Sequence, residues 1–271
     1  MDIYGKIQTL YQNFQGKKTV IGKSVLGKNI YALKIGSGKP VGIVQYALHG
    51  REFITAYLAK EHIKVGLFKG SLWLIPLANP DGALLSQVGL KSVRGAKNQN
   101  RLLALNHQSI DFSLWKANAR GVDLNVNFNA LWGTGDKNTR IAGAENYIGK
   151  KPVSEIETRA LQRFTKKIKP DYTVSYHTKG EEIYWYFHQE NNRALRDEQL
   201  AKVIAKTTGY QVAKPSGSAG GYKDWCISAL RIPAFTIEAG KDTLTHPIRE
   251  EHLAELITKN RFALYELSKV F

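Results

Sequence analysis

Buried-strand and amphipathic-helix patterns alternate along most of this chain. Residues 41–48 (VGIVQYAL) and 71–77 (SLWLIPL) are continuous apolar runs of strand length, the pattern of strands covered on both faces. Between them, 53–65 (FITAYLAKEHIKV) repeats apolar positions at helical spacing and predicts an amphipathic helix. Residues 171–176 (DYTVSY), 183–187 (IYWYF) and 233–237 (PAFTI) predict further strands, and 195–207 and 248–269 further helices. Ser154-Glu155-Ile156-Glu157 has the capping-box pattern and opens a helix over 155–168, which Pro170 ends. Residues 83–120 show weak periodicity and many polar side chains, and read as an irregular excursion.

Strands and helices in alternation predict an α/β domain with a largely parallel sheet under helical layers. No repeat, low-complexity segment or long linker interrupts the 271 residues, so a single domain over 1–271 is the simplest organisation. In such sheets, function gathers in the loops beyond the strand ends.

Three chemically capable residues follow predicted strands directly: His49, His177 and Glu238. The turn His49-Gly50-Arg51-Glu52 can set an imidazole nitrogen and a carboxylate on one side, and His177 can close a three-ligand site. Two His and one Glu with an open fourth position is a catalytic ligand set for Zn²⁺. Each residue also has a plainer reading. Glu52 suits a helix N-terminus because the helix dipole favours an anion there. His177, in Ser-Tyr-His-Thr-Lys-Gly, can be a structural histidine near a turn. Glu238 ends a buried strand, where a carboxylate is costly unless paired or functional; desolvation raises its pKa toward the range a general base needs. Asp123, in Gly-Val-Asp-Leu-Asn, is either a turn former or the acceptor for the second ring N–H of a metal-bound histidine. Asn79-Pro80-Asp81-Gly82 is a turn signal by composition. The other histidines lack metal spacing to one another, and Cys226 reads as a small core residue in a helix.

The net charge of +16 is spread along the chain rather than gathered in a recognisable nucleic-acid motif. It reads first as a solvated surface, with attraction to a polyanionic polymer as the alternative and no nucleic-acid partner expected. A single cysteine precludes an internal disulfide. The first residues, MDIYGKIQTLYQNF, lack the pattern of a signal peptide, and no apolar run is long enough for a bilayer. A cytoplasmic location with no membrane association is the expectation, release to the cell wall staying open. Oligomeric state is not legible.

Taken together, the motifs resemble the zinc carboxypeptidase superfamily over nearly the whole chain. The segment IGKSVLGKNIYALKIG, then His49-x-x-Glu52, Asn79-Pro80-Asp81-Gly82, Gly121-Val122-Asp123-Leu124-Asn125, His177 and Thr236-Ile237-Glu238 follow in family order. The resemblance implies a three-layer α/β/α sandwich around a mixed, mostly parallel eight-stranded sheet. It implies one Zn²⁺ per chain held by His49, Glu52 and His177. Glu238 would be the base that deprotonates the attacking water, and Asp123 would orient His49. Trp115-Lys116 falls where the family places a cation for the oxyanion, so Lys116 takes that role, with Arg101 as the other basic candidate.

Two departures separate the chain from digestive carboxypeptidases. Where those carry Asn-Arg to clamp a free C-terminal carboxylate, this chain has Asn125-Val126, and valine offers neither charge nor donor. Where they carry a closing tyrosine, counting back from Asp224-Trp225 puts Ser216. Trp115-Lys-Ala-Asn-Ala-Arg-Gly121, Gly180-Glu-Glu-Ile-Tyr-Trp185 and Ser218-Ala-Gly-Gly-Tyr-Lys-Asp-Trp225 are similar to bacterial γ-D-glutamyl-diamino acid peptidases. These cut peptidoglycan stem peptides between D-Glu and meso-diaminopimelate. Lys223 falls at the specificity position of the pocket, where a cation would favour a carboxylate on the leaving residue. The expected partner is a peptidoglycan-derived peptide. The alternative is a zinc carboxypeptidase or deglutamylase acting on acidic peptides.

Overall fold

Eight strands build one mixed sheet in the order β1-β2-β4-β3-β5-β8-β6-β7 in a computed structural model that describes all 271 residues. The strands are β1 (Lys18–Lys23), β2 (Asn29–Gly36), β3 (Val41–Tyr46), β4 (Ser71–Ile75), β5 (Tyr172–His177), β6 (Glu182–Tyr184), β7 (Gln211–Ala213) and β8 (Ala234–Glu238). The central run β4-β3-β5-β8 is parallel, as is the edge pair β6-β7, whereas β1, β2 and β6 join antiparallel neighbours. The helices are α1 (Ile3–Asn13), α2 (Leu58–Val65), α3 (Pro80–Val88), α4 (Ala96–Leu105), α5 (Ile156–Ile168), α6 (Asn191–Thr208), α7 (Tyr222–Trp225), α8 (Leu253–Asn260) and α9 (Ala263–Lys269).

The apolar runs of the central strands exist because both faces are covered. On β4, Leu72 and Leu74 join one core with residues of α2, α6, α8 and α9, while Trp73 and Ile75 join a second with residues of α5 and α7. That alternation is the pleat of a strand with helical layers on both sides, so the three-layer α/β/α sandwich is what forms.

Local expectations needed correction in several places. The strand expected over 183–187 is β6, Glu182–Tyr184; the helix expected over 248–269 is divided into α8 and α9; and the helix expected over 53–65 is a 3₁₀ segment, Gly50–Tyr57, followed by α2. The stretch 83–120 is not irregular throughout: α3 and α4 occupy much of it. Asn79-Pro80-Asp81-Gly82 is a helix start, with the Asn79 side chain accepting from Gly82 N at 3.0 Å and Pro80 in the first turn. The capping box before α5 does not form. Glu155 takes the N-cap place without a side-chain cap bond, and Glu157 turns inward to accept from Val25 N at 2.9 Å. A long-range backbone donor outbids the local one.

Candidate metal centre and active site

β3 ends at Tyr46, and the chain enters a 3₁₀ segment, Gly50–Tyr57, that carries His49 and Glu52 at its start. Main-chain contacts fix this turn. Gly50 N donates to Lys116 O at 2.9 Å, and Asn79 Nδ2 donates to Leu48 O at 3.2 Å and Ala117 O at 3.1 Å. A methyl group at Gly50 would lie 2.4 Å from Gly82 O and 2.6 Å from Trp115 O, and one at Gly82 would lie 2.4 Å from Ala117 O. Only glycine lets these three segments close on one another.

His177 ends the neighbouring strand β5 and meets the turn. Its Nδ1 stands 2.9 Å from Glu52 Oε2 and 3.1 Å from His49 Nδ1, and His49 Nδ1 stands 2.9 Å from Glu52 Oε1. All three side chains are buried. His49 Nε2 faces Asp123 Oδ1 at 3.1 Å. A carboxylate there accepts a hydrogen bond from Nε2–H and so fixes the proton on Nε2, which leaves Nδ1 with its lone pair turned inward. Two imidazole lone pairs and a carboxylate then face one point, with donor atoms all within 4.8 Å of one another. Such a set is short of protons and complete for a cation; two nitrogens and one oxygen fit Zn²⁺ with one position open. His177 Nε2, on the far side of its ring, is buried without a partner.

Electrostatics follow from these contacts. Burial opposes ionisation of Glu52, but His49 and His177 outweigh it and hold the carboxyl well below its usual range. Asp123, fully buried, is likewise held low against desolvation by Lys116 and His49. Its Oδ2 takes Lys116 Nζ at 2.9 Å and Asn146 N at 3.3 Å. Glu238 behaves in the opposite way. It ends β8 as the register partner of His177, and desolvation, with Glu52 adding repulsion, pushes its carboxyl up to about 8 despite the nearby His177 and Lys116.

Above the cluster opens a cavity of about 380 Å³, whose walls include His49, Lys116, Asp123, Asn125, Lys223 and Glu238. Val126 and Ser216 line it as well. Lys223 lies almost wholly inside the protein, its Nζ donating to Tyr186 O at 2.9 Å and pairing with Asp224 Oδ1 at 2.5 Å, so it faces the cavity as half of an ion pair and not as a free cation. Asn125 Oδ1 accepts from Tyr222 N at 3.2 Å.

Arg101 is the exception among the expected site residues. It sits on α4, donates to Ala119 O at 3.2 Å and lines a different cleft, so it is not positioned for an oxyanion in this cavity. Several wall residues had not been singled out. Tyr184 belongs to the apolar 183–187 stretch and could have been found by asking which side of that strand faces the metal. Asn146, which also accepts from Lys116 Nζ at 3.2 Å, comes from a loop without periodicity and carried no signal.

No helix is long and apolar enough to cross a membrane. The family profile described as zinc carboxypeptidase matches residues 4–261. A γ-D-glutamyl-L-diamino acid endopeptidase 1 of Lysinibacillus sphaericus is 34% identical over 90% of this chain, which spans 65% of that relative's length. Among solved structures, bovine thrombin-activatable fibrinolysis inhibitor bound to tick carboxypeptidase inhibitor superposes with TM-score 0.76 at 18% identity, covering 100% of this chain and 96% of that one. Murein-tripeptide amidase MpaA of Escherichia coli O157 superposes with TM-score 0.63 at 22% identity, covering 97% and 94%. With the His–Glu–His cluster at the strand ends and the profile running almost from end to end, the chain belongs to the zinc carboxypeptidase family.

Proposed function

We propose that this chain hydrolyses the amide bond between the γ-carboxyl of D-glutamate and a diamino acid such as meso-diaminopimelate in peptidoglycan stem peptides, with one Zn²⁺ per chain. The observation that carries the reading is Val126 in the cavity wall beside Asn125. A substrate whose recognition rested on a terminal carboxylate would need a bidentate donor there, and valine has none. The likeness to an endopeptidase named for this bond supports it. The Lys223–Asp224 pair in the same wall sets a polar surface, neutral as a whole, where the leaving residue would lie.

His49 and His177 through Nδ1, and Glu52 through its carboxylate, would hold the metal. Zn²⁺ bound there supplies a Lewis acid and lowers the pKa of a coordinated water toward about 7. Glu238 takes a proton from the attacking water and returns it to the leaving amine. Asp123 keeps the proton on His49 Nε2 and so keeps Nδ1 free to ligate. Lys116, pinned by Asp123, directs its charge at the carbonyl oxygen as negative charge develops; losing such a donor typically costs on the order of 10²–10³ in kcat.

A second reading is a carboxypeptidase or deglutamylase on acidic peptides. It is favoured by Lys137, an exposed wall residue with no carboxylate partner that can stand in for the missing clamp. Synthetic L-Ala-γ-D-Glu-diaminopimelate and its α-linked isomer, digested with and without chelator, separate the two. The proposal expects chelator-sensitive release of diaminopimelate from the γ-linked peptide. Preference for the α-linked peptide overturns it.

A further inference from the structure

A second cleft, of about 970 Å³, has walls that include Lys28, Lys91, Arg94, Arg101 and Arg120. Nothing in the hydrolytic reading uses it. Its one wall carboxylate, Asp2, is spent capping α1, with Oδ1 accepting from Gly5 N at 2.7 Å. Lys28 is matched by buried Asp81 at 3.2 Å, and Arg120 stands 3.6 Å from Glu155. That leaves Lys91, Arg94 and Arg101 with no carboxylate partner.

The N-terminus of α4 adds to this positive field. Its N-cap, Gly95, makes no side-chain cap bond, the first turn carries no acidic residue, and Asn98 of that turn lines the cleft. Helix N-termini favour anions. A methyl built on Gly27, in the wall, or on Gly95, the N-cap of α4, meets nothing within 4 Å. Guanidinium forks match phosphate-type oxyanions bidentately, and Arg94 and Arg101 both line the cleft. Tyr4 is the one aromatic residue in the walls, so there is no platform on which successive bases could stack.

We propose that this cleft binds a chain of phosphate-type anions, not a nucleic acid, and serves as an anchoring site separate from the hydrolytic cavity. The segment that joins the two is short. Ala119 accepts from Arg101, Arg120 lines the cleft, and Asp123 holds His49. A substrate attached to a polyanion would therefore be tethered close to the metal centre.

The test uses the full zinc-loaded chain and labelled short-chain inorganic polyphosphate, with binding read by anisotropy over a salt series. Three unpartnered cations at about 0.7 counterions each predict a log–log salt slope of roughly −2. Arg94→Ala/Arg101→Ala should weaken binding by about tenfold per arginine. Lys167→Ala/Lys206→Ala, which removes the same charge from exposed sites elsewhere, should leave it within about twofold of the parent. Arg94→Ala alone, at an exposed position, guards against misfolding of the double variant. Equal losses in both double variants overturn the proposal, as does competition by inorganic phosphate at equal phosphate concentration. Binding of a single-stranded oligonucleotide about tenfold or more tighter than polyphosphate also overturns it.

Discussion

His177 and Glu238 stand side by side as register partners at the ends of parallel strands β5 and β8. One strand spacing, about 4.8 Å, therefore separates the backbone of a proposed metal ligand from that of the proposed base. Because the sheet sets this offset, the proposed base stands beside the cluster without joining it. Glu238→Gln keeps the shape and removes the proton acceptor. Turnover should fall by about 10²–10⁴ while zinc per chain, by elemental analysis, stays at the parent value. A variant that keeps more than a tenth of the parent kcat refutes the assignment.

The cluster itself makes a separable prediction. His49→Ala or His177→Ala removes one of the two nitrogens and should leave the purified protein with much less than one zinc per chain. Chelation of the parent should abolish hydrolysis, and added Zn²⁺ should restore it. Full metal content in either variant would place the ion elsewhere.

Asp123 divides its carboxylate between His49 Nε2 and Lys116 Nζ. Asp123→Asn keeps the shape and loses the charge that serves both. Zinc affinity should drop by about 10–100-fold, measured by competition with a chromophoric chelator, and kcat should fall further because Lys116 is no longer pinned. An unchanged zinc affinity would show that Asp123 merely shapes the turn.

Two buried groups outside the site set opposing pH dependences of stability. Burial lowers His62 from 6.5 to about 4; Tyr46 Oη lies 2.6 Å from its Nδ1, and its Nε2 donates to Asn260 O. Below pH 6.5 the unfolded chain takes up a proton that the folded chain refuses, so stability falls as pH drops from 6.5 to 4. Burial raises Glu157 from 4.5 to about 7, so there the folded state holds the extra proton and stability falls as pH rises from 4.5 to 7. Glu157→Gln should remove the second trend. Relative to the parent, its melting temperature should gain most above pH 7 and least near pH 4.5. A gap between variant and parent that does not change with pH contradicts this account.

Gly50 and Gly82 allow another check. Gly82→Ala would push a methyl into Ala117 O at 2.4 Å, and overpacking of this kind costs about 1–3 kcal/mol. Thermal melts should show the loss, and zinc affinity should weaken because the His49 turn rests on the same contacts. A variant with both parent stability and parent zinc affinity would mean that the backbone shifts freely.

Much of this was legible in the sequence because a parallel sheet brings strand ends to one edge. His49, His177 and Glu238 each close an apolar run, and position alone predicted their convergence. What failed was tertiary. Arg101 was the second basic candidate after Lys116, but α4 lay hidden in a polar stretch, and the helix carries Arg101 into another cleft. Lys223 was legible as a pocket residue, whereas its pairing with Asp224 was not, since neighbours in sequence need not meet in space. The Ser154 cap was lost to a partner far away in the chain, Val25 N, which no local pattern reveals.

The floor under the ligands is made of main chain pressed against main chain at Gly50 and Gly82. Anyone redesigning specificity has freedom in the exposed wall around Ser216 and almost none beneath the imidazoles. Retargeting by wall mutations should therefore leave the metal in place, whereas stabilising schemes that replace glycines with alanine must spare these two.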